Sequence, residues 1–341
     1  TVIFSIYPVE KRGAAMGMSG LVVGFAPAIG PTLAGWIIDH TSWRFLFYTV
    51  LPITLIVFVL AIFLMKNVTT QHERKLDVLS VILSSFGWGG LLYATSMVGT
   101  YGWTGLNVIL SILIGSISLF FFIRRQFKLS QPMLNFTVFQ SKEFTLTTIL
   151  SIVVFGLLIG IETILPIFVQ NVRQGTALTS GLMLLPGAII TGAMSPISGK
   201  LFDRFGVKGL AIIGFSCIVL ATILYNFIGQ DTSFAAISAI FTVQMLGFAL
   251  LSMPLMTAGI NSLPHELIAH GTAMHNTIRT VGSSIFAALL VTVMSFGNIQ
   301  HDGIFKGIKI AFFVAMLFGA VGLLLSFFLA KKEKRPMESA N

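Results

Sequence analysis

Ten long, unbroken apolar runs constrain this chain more than any other feature. They cover residues 17–38, 43–66, 76–99, 106–123, 144–170, 178–202, 207–229, 234–259, 273–296 and 307–330. A helix needs roughly 20 residues to cross a hydrocarbon core about 30 Å thick, and these runs are near that length. They are continuously apolar rather than alternating, so they read as helices and not as barrel strands. Only 10% of the residues are charged and 55% are hydrophobic, against about 25% charged in an ordinary soluble domain. The expected fold class is an all-α membrane protein, a polytopic helical bundle of about ten transmembrane helices.

The net charge of +9 would suggest nucleic acid in a soluble protein. Here the basic residues sit in short gaps between apolar runs, so the sequence implies membrane lipid and no nucleic acid as partner. If the ten runs cross alternately, sixteen basic residues fall on one side, in the gaps from Lys11–Arg12 to Lys331–Arg335. Four fall on the other: Arg44, Arg173, Lys306 and Lys309. Positive charge collects on the cytoplasmic side, so a multi-pass protein of a cell membrane with both chain ends cytoplasmic is expected. The single cysteine, Cys217, excludes an intrachain disulfide and a cysteine metal cluster. The chain begins at Thr1, and "TVIFSIYP" reads as the tail of an earlier apolar segment. It is therefore expected to be a fragment without its natural N-terminus.

The first run contains "GFAPAIGPTLAGW", a segment rich in helix breakers. Gly20 and Gly24, then Gly30 and Ala34, lie four apart. Small residues at that spacing let helix backbones approach in lipid. Pro27 and Pro31 each remove a hydrogen-bond donor and can kink a helix. Such a pattern also serves plain helix packing. The string Gly24, Pro27, Gly30-Pro31, Ala34-Gly35 resembles the antiporter motif G-x-x-x-G-P-x-x-G-G of major facilitator superfamily drug exporters. Trp43, Arg44, Phe47 and Pro52 resemble the segment that opens the next helix there.

Two further segments carry the resemblance. "GKLFDRFGVKG" is similar to the superfamily loop motif G-x-L-x-D-R-x-G-R-[KR], through Gly199, Leu201, Asp203, Arg204, Gly206 and Lys208. Glycines suit the tight turn, and a carboxylate near a helix N-terminus is favoured by about 0.3–1 kcal/mol and can hold basic residues across the loop. A cytoplasmic conformational latch is expected, rather than a substrate contact. "HGTAMHNTIRTVGSSI" is similar to the G-x-A-x-x-N-x-x-R-x-x-G-G segment of the fourteen-helix drug:proton antiporter branch, the EmrB/QacA-like multidrug exporters. Gly271, Ala273, Asn276, Arg279 and Gly282 match, and Arg279, near a helix end, can snorkel to the interface. The resemblance implies a major facilitator superfamily fold lacking its first four helices. It divides the chain into a remnant of the N-terminal bundle at 1–70, a central two-helix insertion at 71–130, and a six-helix C-terminal bundle with a basic tail at 131–341.

Chemistry is sought in membrane-embedded ionisable residues, which are costly to insert and usually functional. Glu162, in "FGLLIGIETILPIF", is the clear instance. Gly156 and Gly160 make room for a neighbour, and Pro166 frees the carbonyl of Glu162 from a helical bond. A carboxyl taken out of water holds its proton more readily, so Glu162 is the proton-coupling candidate; a glutamate solvated in a wet vestibule is the other reading. Asp39 and Asp77 fall at helix ends and read as interfacial. Asn226, Gln244 and Asn261 read as packing groups. "HELIAH" spaces His265 and His270 five apart in a loop, the wrong spacing for a zinc site, so no metal is expected. Asn67 and Asn135 match a glycosylation pattern but lie in loops expected to be cytoplasmic.

No nucleophile–base pair or phosphate loop is present, so the chain is not read as an enzyme. The function expected is secondary active transport: efflux of small hydrophobic or cationic drugs by alternating access, with protons as the coupling partner and no cofactor beyond the proton motive force. A non-transporting remnant, or a regulatory or assembly membrane protein, is the alternative.

Overall fold

The computed structural model describes residues 3, 6–8, 11–64, 77–129, 132–299 and 303–330. Among them run ten long helices: α1 (Arg12–His40), α2 (Arg44–Leu64), α3 (Val78–Tyr101), α4 (Leu106–Gln126), α5 (Lys142–Ile167), α6 (Ala177–Phe205), α7 (Val207–Tyr225), α8 (Phe234–Asn261), α9 (Ile268–Ile299) and α10 (Gly303–Ser326). The nine from α2 onward are long and apolar enough to cross a membrane. The first stays helical through Pro27 and Pro31.

Local chemistry sets many of the boundaries. Ser141, Thr176 and Ser233 stand just before α5, α6 and α8, and each accepts a backbone N–H of the first turn. These N–H groups have no partner within their own helix. Gly206 joins α6 to α7 in a single residue at φ +80°, a left-handed backbone that glycine adopts without steric cost. Pro166 ends the regular part of α5, and a π-helical turn, Phe168–Val172, follows it.

Helices α5 to α10 enclose one core, with Leu157, Ile161, Phe215, Phe241, Leu251 and Phe312 among its buried side chains. Glycines permit the closest approaches. A Cβ on Gly156 would meet Phe286 of α9 at 2.6 Å, and one on Gly160 would strike Leu290, as the room expected around Glu162 requires. Helix α1 lies along α6 and touches α8, where Met16 packs with Met253, Met256 and Ile260. Helices α3 and α4 form a hairpin that docks on α9. None of the 21 residues of α2 is buried, and its main neighbour among the described residues is α1; an all-round apolar helix that buries nothing in the protein belongs in lipid.

Side-chain contacts collect the basic loops at one end of the bundle, as alternate crossing predicts. Arg12 donates to Asn261 at the end of α8, and Lys208 to the Phe327 carbonyl just past α10. Glu143, at the start of α5, accepts the N–H of Ala330. Arg125 closes the hairpin by bridging Asp77 at 2.7 Å. At the opposite end Arg173 donates to the Thr232 carbonyl and Lys309 to the Asn226 carbonyl. Lys66, Arg74, Lys75 and the basic tail lie outside the described residues.

Several boundaries differ from the hydropathy reading. Helix α9 starts at Ile268, five residues before the apolar run expected at 273. Its first turns carry His270, His275 and Asn276, which lower the hydropathy although His275 is fully buried. "HELIAH" is accordingly not all loop: His265–Leu267 is one 3-10 turn and His270 belongs to α9. Asn135 accepts Thr137 N–H as the cap of a 3-10 turn at Phe136–Gln140.

Candidate functional site

The seam between α1 and α6 is antiparallel and is closed at both ends by a carboxylate. At the basic end Asp203, in the last turn of α6, accepts the backbone N–H of Gly13 at 3.0 Å and of Ala14 at 2.8 Å. These are first-turn donors of α1, where the helix dipole favours an anion. The two oxygens of the latch residue thus reach the start of a second helix, a contact that the loop motif by itself does not indicate. At the other end Asp39, in the last turn of α1, accepts the N–H of Leu178 in the first turn of α6 at 3.1 Å. Each helix thus caps the other. Asp39 falls at a helix end as expected, but its partner lies 139 residues away, and nothing local in the sequence announces it.

Between the caps the two backbones touch. A Cβ on Gly199 would strike the Gly13 carbonyl and come within 3.1 Å of the Gly17 Cα; one on Gly17 would meet the Ser195 carbonyl at 2.7 Å. Thr32 donates to the Gly181 carbonyl at 2.9 Å, and Gly35 abuts the Ala177 carbonyl. The small-residue seam is therefore carried by Gly13, Gly17, Gly20 and Gly35. Gly30 has open space around it, so its place in the motif has no packing basis here. The side chains of residues 21–29 and 31, including Gly24, Pro27 and Pro31, lie outside what the structure describes. In the latch loop, Gly206 makes the turn, Lys208 neutralises the carbonyl end of α10, and the Arg204 guanidinium lies over Phe205 at 5.1 Å.

Glu162 sits half-buried on α5, and its carboxylate makes no hydrogen bond or ion pair among the described residues. Thr148, Phe155 and Glu162 recur every seven residues, which puts them on one stripe of the helix. Opposite that stripe, Phe248 of α8 meets Phe155 edge-on with ring centroids 5.0 Å apart. One turn away on α8, Gln244 accepts a hydrogen bond from the buried Tyr225 hydroxyl at 3.0 Å, and Tyr225 stacks on Phe312. Lower on the stripe, Thr148 Oγ1 is 3.1 Å from Nδ1 of His275, whose Nε2 is buried without a partner.

Arg279 is not at a helix end. The early start of α9 leaves eleven residues before it, or about 16 Å of helix. Its guanidinium lies 4.1 Å from the centroid of Phe155. Placing an arginine at such a depth costs about 2.5–3.5 kcal/mol on insertion scales, and a cation–π contact returns about 0.5–2 kcal/mol. Asn276, three residues earlier, is half-buried and without a hydrogen-bond partner among the described residues.

A second feature had no sequence signal. Between the hairpin and α5–α9 lies a cavity of about 700 Å³, lined by Thr95, Ser96, Ile159, Val291 and Ser295, with Trp103 donating to Thr292 at 2.9 Å. A hairpin network completes the polar contacts of the opposite, basic end. Ser80 donates to Asp77, Gln126 to Ser80 at 2.7 Å, and Leu134 N–H to Gln126 at 3.1 Å.

An all-helical bundle whose helices have this length and apolarity is a multi-pass membrane protein, and the comparisons with known proteins place it among transporters rather than enzymes. The chain belongs to the Major Facilitator Superfamily, whose family model matches residues 1–287. It is 55% identical to the uncharacterized MFS-type transporter YcnB of Bacillus subtilis, over 99% of this chain and 73% of that protein. It is 37% identical to the lincomycin resistance protein LmrB of Listeria monocytogenes, over 96% of this chain and 73% of the relative. The multidrug resistance protein Stp of Mycobacterium tuberculosis is 26% identical over 86% of this chain and 55% of its own length.

Proposed function

We propose that this chain is a proton-coupled exporter of hydrophobic, amine-bearing compounds, of the fourteen-helix drug:proton antiporter branch, acting in a bacterial cell membrane with both chain ends cytoplasmic. The observation that carries the reading is Glu162: an acid within a membrane span, unpaired among the described residues, on the stripe of α5 whose Phe155 meets Phe248 of α8. A carboxyl there can carry a proton when no substrate is bound, and a bound amine pairs with the carboxylate. Binding of substrate then expels the proton, and return of a proton expels the substrate. The resistance functions in the names of LmrB and Stp support the substrate class. The α1–α6 seam supplies a contact that two halves can rock against, with a carboxylate clasp at each end.

The test is transport by proteoliposomes under an imposed pH gradient. Glu162→Gln should abolish gradient-driven dye accumulation while leaving membrane insertion and the melting temperature intact; unchanged accumulation removes Glu162 from the mechanism. A second reading, a non-transporting membrane protein that assembles with further helices, is favoured by α2, which buries no residue along its length. It predicts no gradient-driven transport by the chain alone and transport only after the segment that YcnB carries beyond this match is supplied.

A further inference from the structure

Arg279 has one face occupied and its edges free. The guanidinium stacks on Phe155, which Phe248 buttresses from α8. Among the described residues its N–H groups meet no acceptor and it takes no part in an ion pair. The cation–π contact offsets only part of the cost of a charge at this depth. The planar fork of donors left over matches two acceptor oxygens on one group, the geometry by which arginine recognises carboxylates. Nearby on α9, Asn276 is unpartnered and the buried His275 keeps a free Nε2, so the polarity around Arg279 is not satisfied from within the fold.

The α5 stripe relates the two charges: Glu162 lies on it, and Arg279 of α9 sits against its Phe155. Phe155 marks the level of Arg279, and Glu162 lies seven residues further along, about 10 Å away. We propose that Arg279, seated on Phe155, is the recognition point for a carboxylate, or an equivalent pair of acceptor oxygens, on the transported compound. The substrate class is then amphoteric: an apolar body with an amine drawn to Glu162 and an oxygen-bearing group drawn to Arg279, spaced by about 10 Å. This rests on the assignment of Glu162 as the amine and proton site; the Arg279 half stands on its own geometry.

Two dyes that differ only at the acid separate the possibilities. Rhodamine 110 carries amines and a free carboxylate, and rhodamine 123 is its methyl ester. Equilibrium binding to the purified full chain in detergent is read by fluorescence anisotropy, with folding checked by gel filtration. The wild type should bind the free acid about tenfold more tightly than the ester. Arg279→Gln should erase that preference without weakening the ester. Arg279→Lys, which keeps the charge and loses the planar fork, should retain only part of the preference and serves if the glutamine variant does not fold. Equal affinity of the wild type for both dyes, no binding of the acid, or an undiminished preference in either variant overturns the assignment. Glu162→Gln should weaken both dyes and keep the preference for the acid. If it weakens neither while Arg279→Gln still erases the preference, the coupling role of Glu162 fails and the role of Arg279 survives.

Discussion

The Asp203 carboxylate at the end of α6 accepts the backbone N–H of Gly13 at the start of α1, 3.0 Å away, and so ties together helices 190 residues apart. Asp39 repeats the contact at the far end of the same pair with the roles exchanged. Two helices that cap one another resist sliding, because a shift along the axis breaks both caps together. They can separate at one end while the other end holds, which is the motion alternating access requires.

Asp203→Asn keeps the shape and removes the charge that the α1 dipole attracts. A capping side chain is worth about 0.5–2 kcal/mol. The variant should lower the melting temperature in detergent and raise the reactivity of a cysteine placed at Ala14. An unchanged melting temperature with unchanged labelling would show that the carboxylate adds nothing to closure.

Asp39→Asn should act at the opposite end and by less, because Asp39 is exposed and accepts one N–H rather than two. The effect expected is about 0.3–1 kcal/mol. The two variants combined should be close to additive in the melting temperature, since distant sites couple weakly. Strong non-additivity would mean that the ends open and close as a single unit.

The glycines of α1 and α6 divide into two classes that a stability measurement distinguishes. Gly199→Ala places a methyl against the Gly13 carbonyl and the Gly17 Cα. Backbone cannot move aside as a side chain does, so a loss of about 1–3 kcal/mol is expected. Gly30→Ala meets nothing within 4 Å and should be neutral or stabilising by up to about 1 kcal/mol through helix propensity. If Gly30→Ala nonetheless abolished transport at normal stability, the glycine would have a role that packing does not supply.

The number and course of the helices could be read from the chain because run length in lipid leaves few alternatives. The acid at 162, the turn at Gly206 and the carboxylate at 203 were legible for the same reason: each breaks a local rule that a membrane segment otherwise keeps. The start of α9 was not, because polar residues that bury against α5 look, in hydropathy, like residues facing water. The Arg279–Phe155 stack and the Asp39–Leu178 cap were not either. They join helices remote in sequence, and no residue within reach along the chain indicates the partner. The cavity beside the hairpin depends on how α3 docks on α9, which no single segment encodes.

The Asp77–Arg125 pair predicts a pH dependence with a defined sign. The guanidinium hydrogen bond, then that from Ser80, holds the Asp77 carboxyl at about 2, below its ordinary 3.8. A carboxyl that is more acidic in the folded state stabilises the fold above its unfolded value, and that contribution disappears as pH falls through the folded value. The bridge should therefore hold the α3–α4 hairpin closed at neutral pH and weaken from about pH 4 towards pH 2. Both side chains are partly exposed, at 36% and 21%, so screening keeps the effect small. Melting curves of wild type and Asp77→Asn should differ at pH 7, converge between pH 4 and 2, and converge also at neutral pH in about 1 M salt, where the screening length falls to about 3 Å. A gap that persists at pH 2 would assign the stabilisation to the hydrogen bond that Ser80 donates to Asp77, and not to the ion pair.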